Sequence, residues 1–246
     1  MNFKIGILTI GSLYWEIEKQ QGNIHTRDDW RKNRFEINSL SVKVPIRYGR
    51  KSRKRENTYT MVFSPNLEKE KHFGYAKVLQ CINPISKPDD LFEEAQNLWV
   101  AEDNIKTQNE NATGNLFKSW GCVALLINPN KEKLHQEEMK ELRTKWANYW
   151  ADKINKNEIK VDFLEKLFIS KEGILKITWP KTTDGTTDLE LDLLLATSTL
   201  PEPSHTSPEI IAKAWKDNID QAYYFWRNQE SGITTFQDEA IKVALK

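Results

Sequence analysis

Apolar and polar positions along this chain follow two periods, and the switches between them mark out its elements. Phe3, Ile5, Ile7, Leu8 and Ile10 form a short apolar run closed by a glycine, which predicts a buried strand over 3–10. Gly11-Ser12 then turns the chain. Trp30 among the charges of 25–34 predicts a helical turn or loop, and strands follow near 37–46 and over 57–64. In the second of these, Thr58, Tyr59, Thr60, Val62 and Phe63 are the β-branched and aromatic types that fit a pleated, half-buried surface. A charged turn at 66–72 leads into a strand at 74–81. Pro88-Asp89-Asp90 opens a helix, its acidic residues lying where the helix dipole favours them. Leu91, Ala95, Leu98 and Trp99 recur at spacings of three and four, so Glu102 falls beside the apolar stripe rather than on the solvated side.

Beyond a polar stretch at 106–115, read as a loop or hinge, 120–127 predicts a strand that ends at Asn128-Pro129-Asn130. A long helix is expected over about 131–155, with Leu134, Met139, Leu142, Trp146, Tyr149, Trp150 and Ile154 on one face. That stripe reads first as core and second as a docking face for a protein partner. Strands are expected near 160–169, 173–179 and 189–196, around a turn at Thr183-Asp184-Gly185. The Pro-rich stretch 201–208 precedes a helix over 208–228, whose aromatic cluster at Tyr223–Trp226 is read as packing back on the core, and a last short helix covers 234–245. No internal repeat is visible. The expected organisation is a core at 1–106, an added strand-helix-strand segment at 107–200 packed on it, and C-terminal helices at 201–246.

Composition narrows the classes. The chain has 246 residues, of which 39% are apolar and 29% charged, enough to bury a sizeable core. Thirty-six basic residues against 35 acidic ones leave a net charge of +1, so no whole-molecule field points to nucleic acid or an anionic membrane, and any charge argument must be local. The opening residues lack the apolar length and cleavage site of a signal peptide, and no apolar window is long enough to span a bilayer. A cytoplasmic location without membrane contact is therefore expected. Cys81 and Cys122 lie in apolar runs and read as small buried hydrophobes. His25, His72, His135 and His205 have no ligand spacing, so no metal is expected.

Three features could carry chemistry. Gly11-Ser12-Leu13 follows a buried strand, where a tight turn leaves backbone N–H groups able to cradle a carboxylate or phosphate. The basic run Arg47–Arg55 could neutralise nucleic-acid phosphates, form a solvated turn between strands, or send only Arg47 or Arg50 inward to an anionic substrate. Glu102, beside an apolar wall, would have its charged form disfavoured and so become usable as a general acid or base near neutrality.

Taken in order, these pieces resemble the ChaC-type branch of the γ-glutamylcyclotransferase-like superfamily over about residues 3–103. Ile10-Gly11-Ser12-Leu13-Tyr14-Trp15 is similar to that branch's Tyr-Gly-Ser-Leu-Ile-Trp signature. Arg50-Lys51-Ser52, with Arg55 and the strand to Ser64, is similar to its Arg-x-Ser stretch. Gly74-Tyr75-Ala76 and Leu98-Trp99-x-x-Glu102 resemble its Gly-x-Ala strand and Leu-Trp-x-Arg-Glu segment. The chain departs from the pattern at Ile10, where the motif has tyrosine, at Ala101, where it has arginine, and in the added segment. The resemblance implies an α+β fold, a mixed β-barrel with peripheral helices carrying an added α/β segment. It implies an enzyme without cofactor, in which Gly11, Ser12 and Leu13 bind a small anionic γ-glutamyl substrate and Glu102 is the acid/base; Arg47, Arg50 and Ser52 join the expected binding set from the basic run.

Overall fold

The computed structural model describes residues 2–17, 27–65, 67, 72–103, 114–183, 188–202, 205–218, 220 and 222–246. His25, most of the charged turn at 66–72, most of the hinge at 106–115, and Asp184 and Gly185 of the expected turn lie outside them.

The first strand, β1 (Ile5–Thr9), is buried along its whole length, as its unbroken apolar run demands of a strand covered on both faces. A turn leads to α1 (Arg27–Arg34), then β2 (Leu40–Val44) and β3 (Ile46–Ser52). Pro45 stands at the corner between these two, where its missing N–H interrupts the ladder. A single 3-10 turn at Arg53–Arg55 links β3 to β4 (Thr58–Phe63), and β5 (Gly74–Gln80) and α2 (Pro88–Asp103) follow. The start of α2 is capped by Asp90, whose carboxylate accepts from the N–H groups of Ser86 (2.9 Å) and Lys87 (3.1 Å).

The second half begins with β6 (Phe117–Lys118) and β7 (Gly121–Ile127), then α3 (Pro129–Leu134) and α4 (Gln136–Asn155). The single helix expected at 131–155 is thus broken at His135, which leaves helical geometry at φ −123° and ψ 51°, and Leu134 is exposed rather than part of the stripe. Residues 160–169, expected as a strand, form α5 (Val161–Lys166) instead. Leu164 and Leu167 are buried at a spacing of three, a helical rather than an alternating pattern. Within 173–179 only Ile174 and Leu175 make isolated bridges. After β8 (Lys181–Thr182) and β9 (Leu193–Thr199), the expected helix 208–228 divides into α6 (Pro208–Lys216) and α7 (Ala222–Glu230), and α8 (Asp238–Leu245) closes the chain.

Seven strands form one mixed sheet in the order β6-β7-β9-β1-β5-β2-β8, and β3 and β4 form a separate two-stranded ribbon. The molecule is α+β as expected, but the sheet is open and the expected barrel is not formed. Its edges, β6 and β8, are two residues each, too short to pair around and close it, and Pro45 diverts β3 into the ribbon. The segment 107–200, expected to pack on the core, is woven into the sheet: β9 lies between β7 and β1, parallel to β1 with Leu8 opposite Ala196. Helix α2 packs on β7 and β9, α4 packs on α2, and the β3–β4 ribbon rests on β9 and carries α6. Trp146 and Trp150 of α4 are fully buried, with Phe92 and Phe117 against them, so the docking face proposed for 131–155 has no exposed tryptophan patch to offer. Among the described residues no helix is long and apolar enough to cross a membrane.

Candidate functional site

Strands β1 and β9 run parallel with their carboxyl ends at the same side of the sheet, and the space outside the carboxyl ends of neighbouring parallel strands is a recurrent place for ligands. Here the chain leaves β1 through a tight turn. Tyr14 N–H donates to the Gly11 carbonyl (3.0 Å), and the N–H groups of Trp15 (3.2 Å) and Glu16 (2.8 Å) both donate to the Ser12 carbonyl. These bonds commit the turn's carbonyls, and among the described residues the Ser12 and Leu13 amides donate to no backbone carbonyl. Arg31 of α1 fastens the loop from behind, donating to the carbonyls of Leu13 (2.7 Å) and Glu16 (2.8 Å). Gly11 is glycine because a Cβ there would stand 2.4 Å from the Tyr224 hydroxyl.

Arg47 and Arg50 are three residues apart, a spacing that puts side chains on opposite faces of a regular strand. In β3 a bulge intervenes: Tyr48 registers with Met61 and Arg50 with Thr60, leaving Gly49 extra. Arg47 is opposite Val62, Arg50 opposite Thr60 and Ser52 opposite Thr58, so the bulge brings all three onto one face. The basic run is therefore mainly strand rather than a solvated turn. Arg47 is 5% exposed and among the described residues donates only to neutral acceptors, Ser64 Oγ (3.3 Å), Tyr48 O (3.3 Å) and Glu202 O (3.4 Å). The Arg50 guanidinium stacks 5.0 Å over Trp120, which itself stacks on Trp99 of α2 at 5.1 Å.

Glu102 lies in the last turn of α2, half-buried. Arg27 caps that helix end, donating from Nε to Ala101 O (2.8 Å) and from Nη2 to Glu102 O (3.0 Å). Burial pushes the Glu102 carboxyl above its usual range, against the opposing pull of Arg27 and Arg50. Glu16 has the contrary environment. Burial raises it, but Arg55, donating at 2.8 Å, and Arg27, also hydrogen-bonded to it, outweigh that effect and hold it below the ordinary glutamate value. Two neighbouring carboxylates are thus driven apart, Glu16 staying ionised and Glu102 drawn toward neutrality, which is how a site separates a fixed charge from a proton carrier.

Gly11, Ser12, Leu13, Arg47, Arg50, Ser52 and Glu102 all line one cleft of about 1190 Å³. Every site residue expected from the sequence therefore reaches the same cavity. Among the described residues, eight lysines and arginines line it against four carboxylates, so a nearly neutral protein concentrates positive charge here. Four contributors were not among the site residues expected from the sequence. Glu16 clamps the site's arginines. Tyr224 of α7 places its ring 4.7 Å under the Arg55 guanidinium and accepts at its hydroxyl from Met61 N–H (3.4 Å). Thr197 and Thr199 of β9 reach the cleft from the far end of the added segment. Their distance along the chain from Gly11 hides them from any motif. Neither a model of a known protein family, nor a curated protein, nor a solved structure matches this chain.

Proposed function

We propose that this chain is a γ-glutamylcyclotransferase-like enzyme acting on a γ-glutamyl amine or amide, with Glu102 as acid/base. The observation that carries the reading is that Glu102, its carboxyl raised by burial, lines the same cleft as the Gly11-Ser12-Leu13 loop. The Ser12 and Leu13 amides and the cationic wall would hold the substrate's α-carboxylate. Glu102 would take a proton from the α-amine, which attacks the γ-carbonyl carbon. The new C–N bond closes a five-membered ring, the old γ-amide bond breaks, and Glu102 returns its proton to the departing amine, leaving 5-oxoproline. Much of the rate would come from proximity, since nucleophile and electrophile share one molecule.

The test is release of 5-oxoproline from a panel of γ-glutamyl amines and dipeptides. Glu102→Gln is expected to lower turnover at least about 100-fold, the scale of acid–base catalysis, and unchanged turnover removes the mechanism. A second reading, a non-catalytic module of the same fold that binds a small anion or nucleotide, is favoured by the convergence of Arg47 and Arg50 on the cleft. It expects anion binding by the native chain with no turnover of any γ-glutamyl compound.

A further inference from the structure

We propose that Arg47, Thr197 and Thr199 form a second anion subsite in the cleft, which takes a phosphate or carboxylate at the end of the substrate remote from Glu102. This deepens the reading of Glu102 as acid/base by giving the substrate two anionic ends, and it rests on that reading only for which end reacts.

Two independent observations meet at this place. The first is a buried guanidinium whose hydrogen bonds among the described residues all go to neutral oxygens at 3.3–3.4 Å. An arginine taken out of water ordinarily has a carboxylate partner, because desolvating an unpaired charge is costly. Among the described residues burial is the one influence moving Arg47 and no carboxylate acts on it, while burial and then Arg47 hold the neighbouring His205 below the usual histidine range. Glu102, by contrast, acts on Arg50. Of the two arginines, Arg50 thus has the proton carrier acting on it, and Arg47 has no carboxylate among the described residues.

The second observation is a pair of hydroxyls. Among the described residues Thr197 Oγ1 and Thr199 Oγ1 are buried without a hydrogen-bond partner, and each residue is 9% exposed and lines the cleft. Period-two alternation puts them on one face of β9, while Ser198 between them is satisfied on the other by donating to Leu167 O (2.7 Å). The last registered pair of β1 and β9 is Leu8 with Ala196, so both threonines lie beyond it, at the same end of the sheet as the Gly11 loop. Glu202, three residues past Thr199, ties this end of β9 to the arginine: its N–H donates to Gly49 O (2.6 Å) and its carbonyl accepts from Arg47. Buried hydroxyls left unpaired cost stability, and a ligand oxygen that accepts from both removes the penalty. Rotation about χ1 exchanges hydroxyl and methyl between staggered positions, which lets each threonine turn its oxygen toward a bound anion. A guanidinium and two hydroxyl donors lining one cleft offer the donors that the oxygens of a phosphate or a carboxylate accept from.

The experiment titrates inorganic phosphate, and separately acetate, into the full chain at constant ionic strength with chloride as the reference, following the melting temperature. Stabilisation above chloride within about 50 mM is expected for at least one of the two, since a ligand that binds only the native state raises stability by mass action, and the anion that acts identifies the group recognised. The response should be equal in Glu102→Gln, weaker by about tenfold in half-saturating concentration in Thr197→Val/Thr199→Val, and retained in Thr197→Ser/Thr199→Ser, because only the hydroxyls differ. A valine pair that responds as the native chain does, or a native chain that responds to neither anion, overturns the subsite. Turnover retained by Glu102→Gln overturns the acid/base reading and leaves the subsite standing.

Discussion

A Cβ on Gly49 would lie 2.3 Å from Arg47 Nη1 and 2.8 Å from a methyl of Val62. The bulge that unites Arg47 with Arg50 therefore works only with a glycine at its centre. Gly49→Ala is expected to push the guanidinium out of place, costing about 1–3 kcal/mol in a denaturant titration and weakening anion binding. Glu102 sets the pH behaviour of the site. Its carboxyl lies above the ordinary 4.5, and a base must be ionised to act, so the acidic limb of kcat/KM should fall above that value and disappear with Glu102→Gln. Asp238 at the start of α8 makes a separate, structural prediction. Burial raises it to about 6, against hydrogen bonds that include those from Thr235 and Gln229. Between 3.8 and about 6 the native chain holds a proton that the unfolded chain has released, so this contribution is fully present below 3.8 and lost as pH rises through 6. The span corresponds to about 3 kcal/mol. Asp238→Asn should flatten the melting temperature across that range, and an unchanged slope would contradict the assignment.

Elements in this protein are set by their apolar stripes, and each stripe was readable to the extent that its period was pure. The run 57–64, rich in β-branched and aromatic residues, became β4, and the threes and fours of 91–102 became α2 with Glu102 on its inner edge. In 160–169 the apolar residues are dense enough to suit either period. The helix won because Leu164 and Leu167 then share one buried side, and Phe168 at φ 57° ends it. In α4 the stripe is core: Trp146 Nε1 donates to Gly173 O (3.1 Å), Phe92 and Trp150 pack on its ring, and Tyr149 packs on Trp150. Trp146→Ala should cost about 3–5 kcal/mol, read as a lower urea midpoint with unchanged slope. A partner-docking role would instead leave stability nearly untouched.

On the scale of the molecule, the crossing of the two halves in one sheet governs what can fold alone. The central strand β1 has β9 on one side and β5 on the other, and β9 arrives from residue 193. A fragment of residues 1–106 would expose the β1 edge and uncover Ile5 and Ile7, both fully buried in the whole chain. Such an edge is open to aggregation, and the fragment is expected to show no cooperative thermal transition by circular dichroism. A cooperative transition in 1–106 would mean that the first half is a self-sufficient core. The same crossing builds the cleft, whose walls come from β1, the β3–β4 ribbon, α2, β9 and α7.

Local information determined much of this protein. The run 3–10, the β-rich segment 57–64, the stripe leading to Glu102 and the glycine turn after β1 all depend on side chains within a few residues of one another, and period and turn chemistry act at that range. The seven residues named for the site were legible for the same reason, as three short stretches of unusual composition. Tertiary structure alone decided that these stretches meet in one cleft, that the sheet stays open, and that β9 lies beside β1. It also decided that arginines hold the Glu16 carboxyl down while burial pushes that of Glu102 up, and that the Thr197 and Thr199 hydroxyls lie buried with no partner among the described residues. Those outcomes depend on pairings across more than a hundred residues and on how far each charge is withdrawn from water, and neither leaves a period in the chain.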